Sequence, residues 1–383
     1  MKRFRLRHFF KALTFLISDK ISLSKVKYKL NPKTLLIVKL DAIGDYLLFR
    51  NFLEDIRKSK KFSSYHITLC GNIIWEELAE TFDKSFVDEF IWIDKRKLTN
   101  EKSYRKSILQ KIKQKGFETA FQPTFSREIL TGDSIINASG AKFKFGSEGD
   151  DANEISILKN IADGFYSQLL NKNSSVVFEF EKNKIIIEEF IEEEIVRTEP
   201  QIIIDKKEPS KLTYAILFPG AGEVQKQWPF ERFSAIADML KNEFNFEIKI
   251  CGAQSDSELA NKIISTCKSA VPINLCGKTN LINLINEISN ADFLFTNDSS
   301  ALHIAACLNI KTVCVLNGRH YGRFAPYPEN IVQNLAFVFS DEMDELINEN
   351  VNSAVLKTKY QTISLINSIT VDKVELTIKK MLV

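Results

Sequence analysis

Residues 214–244 read YAILFPGAGEVQKQWPFERFSAIADMLKNEF. Five apolar residues, Tyr214–Phe218, predict a buried strand, and a Gly-rich loop follows it. From Phe230 to Phe244 the apolar residues recur at helical spacing, with Pro229 fitting the first turn. Strand, glycine turn and helix in this order form one half of a βαβ unit, and the pattern continues downstream. Strands are expected at Glu247–Cys251, Ile273–Cys276, Phe293–Thr296 and Thr312–Leu316, with helices at Ser257–Lys268, Leu281–Ser289 and Ala301–Leu308 between them. Alternation of this kind predicts a parallel sheet covered by helices on both faces.

The same rhythm runs through the first half. Thr34–Leu40, Tyr65–Cys70, Glu89–Ile93, Thr119–Gln122 and Lys142–Gly146 read as strands. Tyr46–Lys58, Trp75–Phe82 and Tyr104–Lys115 read as helices, as does the charge-rich Phe178–Glu194. Pro200–Leu212 reads as a linker. At 383 residues the chain exceeds what one core usually holds. The expected fold class is therefore α/β, with two Rossmann-like, doubly wound lobes facing each other across a cleft. Its divisions are an arm at 1–33, a lobe at 34–205, a lobe at 206–365 and a final segment at 366–383. That last segment contains a helix, Val371–Met381, expected to return to the first lobe.

The net charge of +3 conceals an asymmetry. Residues 1–33 contain ten Lys or Arg and one acid, Asp19, so the remainder is net acidic. An acidic body argues against nucleic acid as a partner. Within the arm, Leu6, Phe9, Phe10, Leu13, Leu16 and Ile17 have helical spacing between basic residues. Two readings stand: a helix lying on an anionic membrane surface, or one packed on its own body or a second subunit. Lys11 interrupts the apolar run and no small-residue cleavage site follows, which disfavours a signal peptide. The six cysteines form no C-x-x-C pair and fit buried thiols of a reducing compartment. The expected location is cytoplasmic, peripheral on the inner membrane face.

In open α/β sheets, ligands bind beyond the carboxyl ends of strands, so the strand-end loops carry the chemistry. Lys39-Leu40-Asp41-Ala42-Ile43-Gly44-Asp45 closes the first strand. Gly44 permits a tight turn, and Asp45 suits either a helix cap or a general base. Asp41 is a second carboxylate in that loop. In the second half, Gly220, Ala221 and Gly222 form an anion-compatible turn, and Lys226 reads either as a surface lysine or as a cation for a diphosphate. Asp298, Ser299 and Ser300 open a helix, with His303 in its first turns as either a packing residue or a ligand contact. Arg319 and Arg323 lie in the long loop Asn317–Pro328, suited to closing over a phosphate.

Taken in this order, the motifs resemble glycosyltransferase family 9, the ADP-heptose heptosyltransferases and their relatives. The resemblance rests on LLIVKLDAIGD (35–45), FPGAGEVQKQWPFERF (218–233), CGKTNLINLINEISNADFLFTNDSSALHIAA (276–306) and TVCVL (312–316). It implies a GT-B fold, an acceptor-binding first lobe, a donor-binding second lobe, and inversion at the anomeric carbon without metal or other cofactor. By motif, Asp45 resembles the catalytic base, Lys226 the group that neutralises the departing diphosphate, and Asp298 and Ser299 donor contacts. The implied partners are a nucleotide-sugar donor, ADP-linked by resemblance, and a lipopolysaccharide or lipid-linked glycan acceptor. Two departures leave sugar and acceptor open. Ser300 stands where the family commonly has glycine, and Asn317–Pro328 replaces its usual threonine–aspartate–proline turn. Other readings are a non-catalytic nucleotide-sugar-binding subunit and a periplasmic-type sugar-binding protein. An oxidoreductase is disfavoured because G-x-G-x-x-G is absent.

Overall fold

A computed structural model describes residues 2–170, 177–204, 213–358, 362 and 365–383. The chain divides into two compact units, Met1–Arg197 and Thr198–Val383. The division precedes the expected boundary at 205/206, and residues 205–212 of the expected linker lie outside the described residues.

The first unit contains strands β1 (Asn31–Lys39), β2 (His66–Asn72), β3 (Glu89–Ile93), β4 (Phe117–Gln122), β5 (Phe143–Ser147) and β6 (Gln168–Leu170). They form one six-stranded sheet in the order β3-β2-β1-β4-β5-β6. Every pairing is parallel. The apolar run of β1 is buried on both faces, as a central parallel strand requires. β6 has only three residues and no apolar run of its own in the sequence. The expected helix Tyr46–Lys58 is two helices, Ile43–Leu47 and Phe52–Lys58. The break has a packing cause: Tyr46, Leu47, Leu48, Phe49 and Arg50 are all buried, and consecutive residues of one helix cannot all face a core.

The second unit contains β7 (Tyr214–Phe218), β8 (Glu247–Ile250), β9 (Ile273–Asn274), β10 (Phe293–Asn297), β11 (Thr312–Val315) and β12 (Leu335–Val338). Their order is β12-β11-β10-β7-β8-β9, again all parallel. Counted from its own first strand, each sheet has the order 3-2-1-4-5-6 of a dinucleotide-binding fold. In each, the strand order reverses between the first and fourth strands. The chain therefore leaves those two strands in opposite directions and opens a crevice above them.

The final helix, Val371–Leu382, corrects the expectation that it returns to the first lobe. Val374 and Ile378 are buried in the core of the second unit, beside Trp228, Phe233 and Phe295. Trp228 Nε1 donates to Ile369 O at 3.0 Å, and Lys379 pairs with Glu243 at 2.8 Å. The apolar face of this helix covers the sheet of its own unit.

The arm forms a helix, Lys2–Ser24, packed on the first unit. Ala12 and Phe15 join Ile129, Leu130, Leu158 and Ala162 in a small core. Asp19 is buried with Arg105, whose Nη2 donates to Asp19 Oδ2 at 2.7 Å. The same guanidinium reaches Leu130 O at 2.6 Å and Ser134 Oγ at 2.6 Å. Removing one partner of a buried ion pair leaves the other charge uncompensated. Asp19→Ala is therefore expected to destabilise the first unit by about 3 kcal/mol in denaturant titrations. Amide exchange in Lys2–Ser24 is expected to quicken. Stability within about 0.5 kcal/mol of the parent would show that the pair does not anchor the helix.

Candidate active site

In the first unit, the loop after β1 is clamped from three directions. Asn72 Nδ2, at the end of β2, donates to Leu40 O at 3.2 Å and Asp41 O at 3.3 Å. Trp75 Nε1 donates to Asp41 O at 3.1 Å. Thr124 Oγ1, just beyond β4, donates to Asp41 Oδ2 at 2.6 Å and so ties together the two loops of the crevice. Beneath them Lys39, 1% exposed, puts its ammonium 2.8 Å from Asp41 as an ion pair rather than an aligned hydrogen bond.

Charge and hydrogen bonding commit Asp41 to the framework of this loop. Burial opposes ionisation of Asp41, yet the Lys39 ammonium and the Thr124 hydroxyl hold its carboxyl below the usual range. An Asp so committed is a poor proton acceptor. Lys39 in turn is held above its usual range despite burial, because Asp41, Asp45 and Glu179 favour its charge. Asp45 is the third residue of the Ile43–Leu47 helix, and Ala42 N donates to its Oδ2 at 3.2 Å. Its neighbour Tyr46 is immobilised, stacked on Trp75 at 3.8 Å and donating to buried Asp83 at 2.7 Å. Lys95 adds a second cation to the field around Asp41 and Asp45: burial lowers its pKa, but Glu128 and these two carboxylates raise it further. Gly44 lies within the helical turn, so its freedom to adopt left-handed backbone is not used there.

In the second unit, Lys226 Nζ lies 2.6 Å from Asp298 Oδ2, joining the loops after β7 and β10. Both side chains line a recess with Leu316, Asn317, Gly318, Arg319, His320, Phe324 and Ala325. Asn297 holds the two loops in register. Its Nδ2 donates to Pro219 O at 2.6 Å, and its Oδ1 accepts from Trp228 N at 3.2 Å. Arg319 Nη1 donates to Glu223 at 2.8 Å, and Asn317 Nδ2 reaches Gln225 O at 3.2 Å. The segments around Lys226 and Arg319 are thereby bound to each other. Ser299 caps the helix Ser300–Leu308 by accepting from Ala301 N at 3.3 Å, leaving Ser300 as its first residue.

The two glycines of the first loop have different uses. A Cβ at Gly220 would lie 2.4 Å from Asp256 Oδ2, so its bareness makes room for a carboxylate of the protein itself. At Gly222 a Cβ would meet nothing within 4 Å, which leaves that backbone open beside Ala221. His303 faces inward: it is 6% exposed, and its Nδ1 lies 2.7 Å from the Tyr327 hydroxyl. It packs beneath the recess and does not line it. Arg323 stands over the Phe324 ring at 4.8 Å, outside the lining. His320, which sequence reading passed over, does line the recess. Burial, then the cations Arg319, Arg323 and Lys226, push its pKa down to about 4.

Comparisons with known proteins identify the family and the fold. The family described as "Glycosyltransferase family 9 (heptosyltransferase)" matches residues 136–349. The lipopolysaccharide core heptosyltransferase OpsX of Haemophilus influenzae is 26% identical over 168 residues, 43% of this chain and 47% of that protein. Lipooligosaccharide heptosyltransferase 2 of Campylobacter jejuni is 33% identical over 129 residues, 33% of this chain and 39% of that protein. The matched part thus spans less than half the length of these relatives. Among solved structures, a glycosyl transferase family 9 protein from Veillonella parvula superposes with a TM-score of 0.69 at 18% identity, covering 92% of this chain and 98% of that one. Escherichia coli heptosyltransferase WaaC with ADP-2-deoxy-2-fluoro heptose gives 0.66 at 16% identity, covering 91% and 99%. At such identities the structures establish a shared fold.

Burial holds the pKa of His303 at about 4, against 6.5 for an unperturbed ring. Unfolding releases that constraint, so below pH 6.5 the unfolded chain binds a proton that the folded one refuses. Stability from His303 is complete above that pH and is lost as the pH falls toward 4. Denaturant titrations between these limits should show a decline that is shallower in His303→Gln. Identical slopes would mean that the ring is not held neutral by burial.

Proposed function

This chain belongs to glycosyltransferase family 9, and from that premise we propose that it transfers a sugar from a nucleoside-diphosphate donor to a hydroxyl of a surface-glycan acceptor. Heptose on ADP is the first donor to test, and a lipopolysaccharide or lipid-linked glycan the first acceptor. The observation that carries the reading is the Lys226–Asp298 pair at the strand-order reversal of the second sheet. It sets a cation at the mouth of a crevice where this fold class binds nucleotides.

The reaction is a single inverting displacement. Asp45 accepts the proton of the acceptor hydroxyl as that oxygen attacks the anomeric carbon. The bond from that carbon to the diphosphate oxygen breaks, and its electron pair leaves with the diphosphate. Lys226 stabilises the charge that accumulates there, a role otherwise given to a divalent cation. Asp298 orients the ammonium and accepts hydrogen bonds from donor hydroxyls. The open backbone at Ala221–Gly222 and the first N–H groups of the Ser300–Leu308 helix offer further donors to phosphate oxygens. Arg319 reaches the same phosphates once released from Glu223. No step calls on a metal, so turnover should persist in a chelator.

Asp45 and Lys226 have separable roles. Asp45→Asn keeps the shape of the side chain and removes its basicity. It should lower the rate of ADP release from ADP-heptose, with a truncated lipopolysaccharide as acceptor, by about 10²–10⁴-fold. ADP affinity should stay within about twofold of the parent, since the base acts on the acceptor. A rate within tenfold of the parent would remove Asp45 from the chemistry. No turnover by the parent with any donor would favour a nucleotide-sugar-binding relative without activity.

A further inference from the structure

The arm helix has two apolar faces, and the protein uses only one of them. Ala12, Phe15 and Leu23 are buried against the first unit. Leu6, Phe10, Ile17 and Ile21 are 57%, 57%, 61% and 62% exposed. These four are spaced by 4, 7 and 4 residues, and at about 100° per residue they fall within an arc of about 60°. They form one continuous stripe along the outer side of the helix, with half-buried Leu13 between them. Nearby, the Ser156–Asp163 helix shares the small core under the arm and exposes Ile157 (61%) and Ile161 (37%). Isolated exposed apolar residues are ordinary; a row of four on one helix is not.

The charges around the stripe identify what covers it. Arg7, Lys20, Lys25, Lys27, Lys29 and Lys33 are exposed on the arm and the segment that follows. The single acid in this stretch, Asp19, is buried and committed to Arg105. The arm therefore offers an exposed apolar stripe on a helix that carries the exposed cations Arg7 and Lys20, followed by a segment with four more. A second copy of the chain would bring the same cations against these, because a twofold contact pairs a surface with itself. An anionic bilayer supplies both complements, acyl chains for the stripe and headgroup charge for the cations. Among the described residues no helix is long and apolar enough to cross a membrane.

We propose that the Lys2–Ser24 helix is a membrane-docking surface that seats the protein on anionic lipid through Leu6, Phe10, Ile17 and Ile21, while its inner face fixes it rigidly to the first unit. The helix is folded before it meets lipid, so docking does not carry the entropic cost of ordering a free peptide. Its rigid attachment also orients the loop after β1, which belongs to the same unit, with respect to the bilayer. This surface does not depend on the transferase reading.

The test is sedimentation of the full chain with phosphatidylcholine vesicles, alone or with roughly 30% phosphatidylglycerol. The parent should partition onto the anionic vesicles, weakly onto the neutral ones, and less as salt rises. Phe10→Glu/Ile17→Glu alters only exposed positions, so its circular dichroism and melting should match the parent while its partition falls at least about tenfold. Lys20→Glu/Lys25→Glu should remove the preference for anionic lipid. A parent that stays in the supernatant, or a Phe10→Glu/Ile17→Glu variant that sediments like it, would overturn the proposal. So would a dimer seen by light scattering that this variant dissolves, without vesicle binding by the parent.

Discussion

In each sheet, one side-chain bridge across the strand-order reversal holds the candidate chemistry in place. In the first unit it is Thr124 donating to Asp41, with Lys39 beneath. In the second it is Asn297, which takes up Pro219 O and Trp228 N from the opposite loop. A parallel sheet of order 3-2-1-4-5-6 separates the chain at that point and leaves backbone groups of both loops facing a crevice. Left alone, such loops would be mobile and their buried polar groups unpaired. The bridges tie the loops that lead to Asp45 and Lys226 to the loops opposite them.

This arrangement explains why several charged residues near each other have different chemistry. Asp41 and Asp83 are both aspartates of the first unit, yet Asp41 is bound by an ammonium and a hydroxyl and held below the usual range, whereas burial raises Asp83. Lys39 ends β1 and Lys226 lies in the loop after β7, but Lys39 is sealed in the core whereas Lys226 opens onto a recess. His303 and His320 both titrate well below the usual range; one packs under the recess and the other lines it. Residue type alone does not distinguish these cases. Burial and partners do.

The sheets were legible because their strands are apolar runs between glycine and polar turns. Tyr214–Phe218 and Glu89–Ile93 have the same limits in sequence and structure. Lys226, Asp298 and Ser299 were legible as a constellation because two strand-end loops carry them in recognisable strings. What escaped lacks local signal. β6 and β12 are short edge strands, identifiable only once a neighbouring strand is in place. Thr124 and Asn297 act through partners about 80 positions away. The break after Leu47 depends on where the core lies, and so does the docking of Val371–Leu382 on its own unit. The arm was legible as amphipathic, but its division into inner and outer apolar faces is a tertiary fact: Arg105 selects the inner face by binding Asp19.

On the proposed reading, the crevice of the second sheet binds a nucleoside diphosphate through Lys226. Calorimetric titration of ADP, GDP, UDP and CMP into the purified chain without added metal tests it most directly, with Lys226→Ala alongside. Selective binding of one diphosphate, ADP by expectation, weakened at least about tenfold in the variant, is the predicted result. Binding of none, or affinity that the variant leaves unchanged, would remove Lys226 from diphosphate recognition.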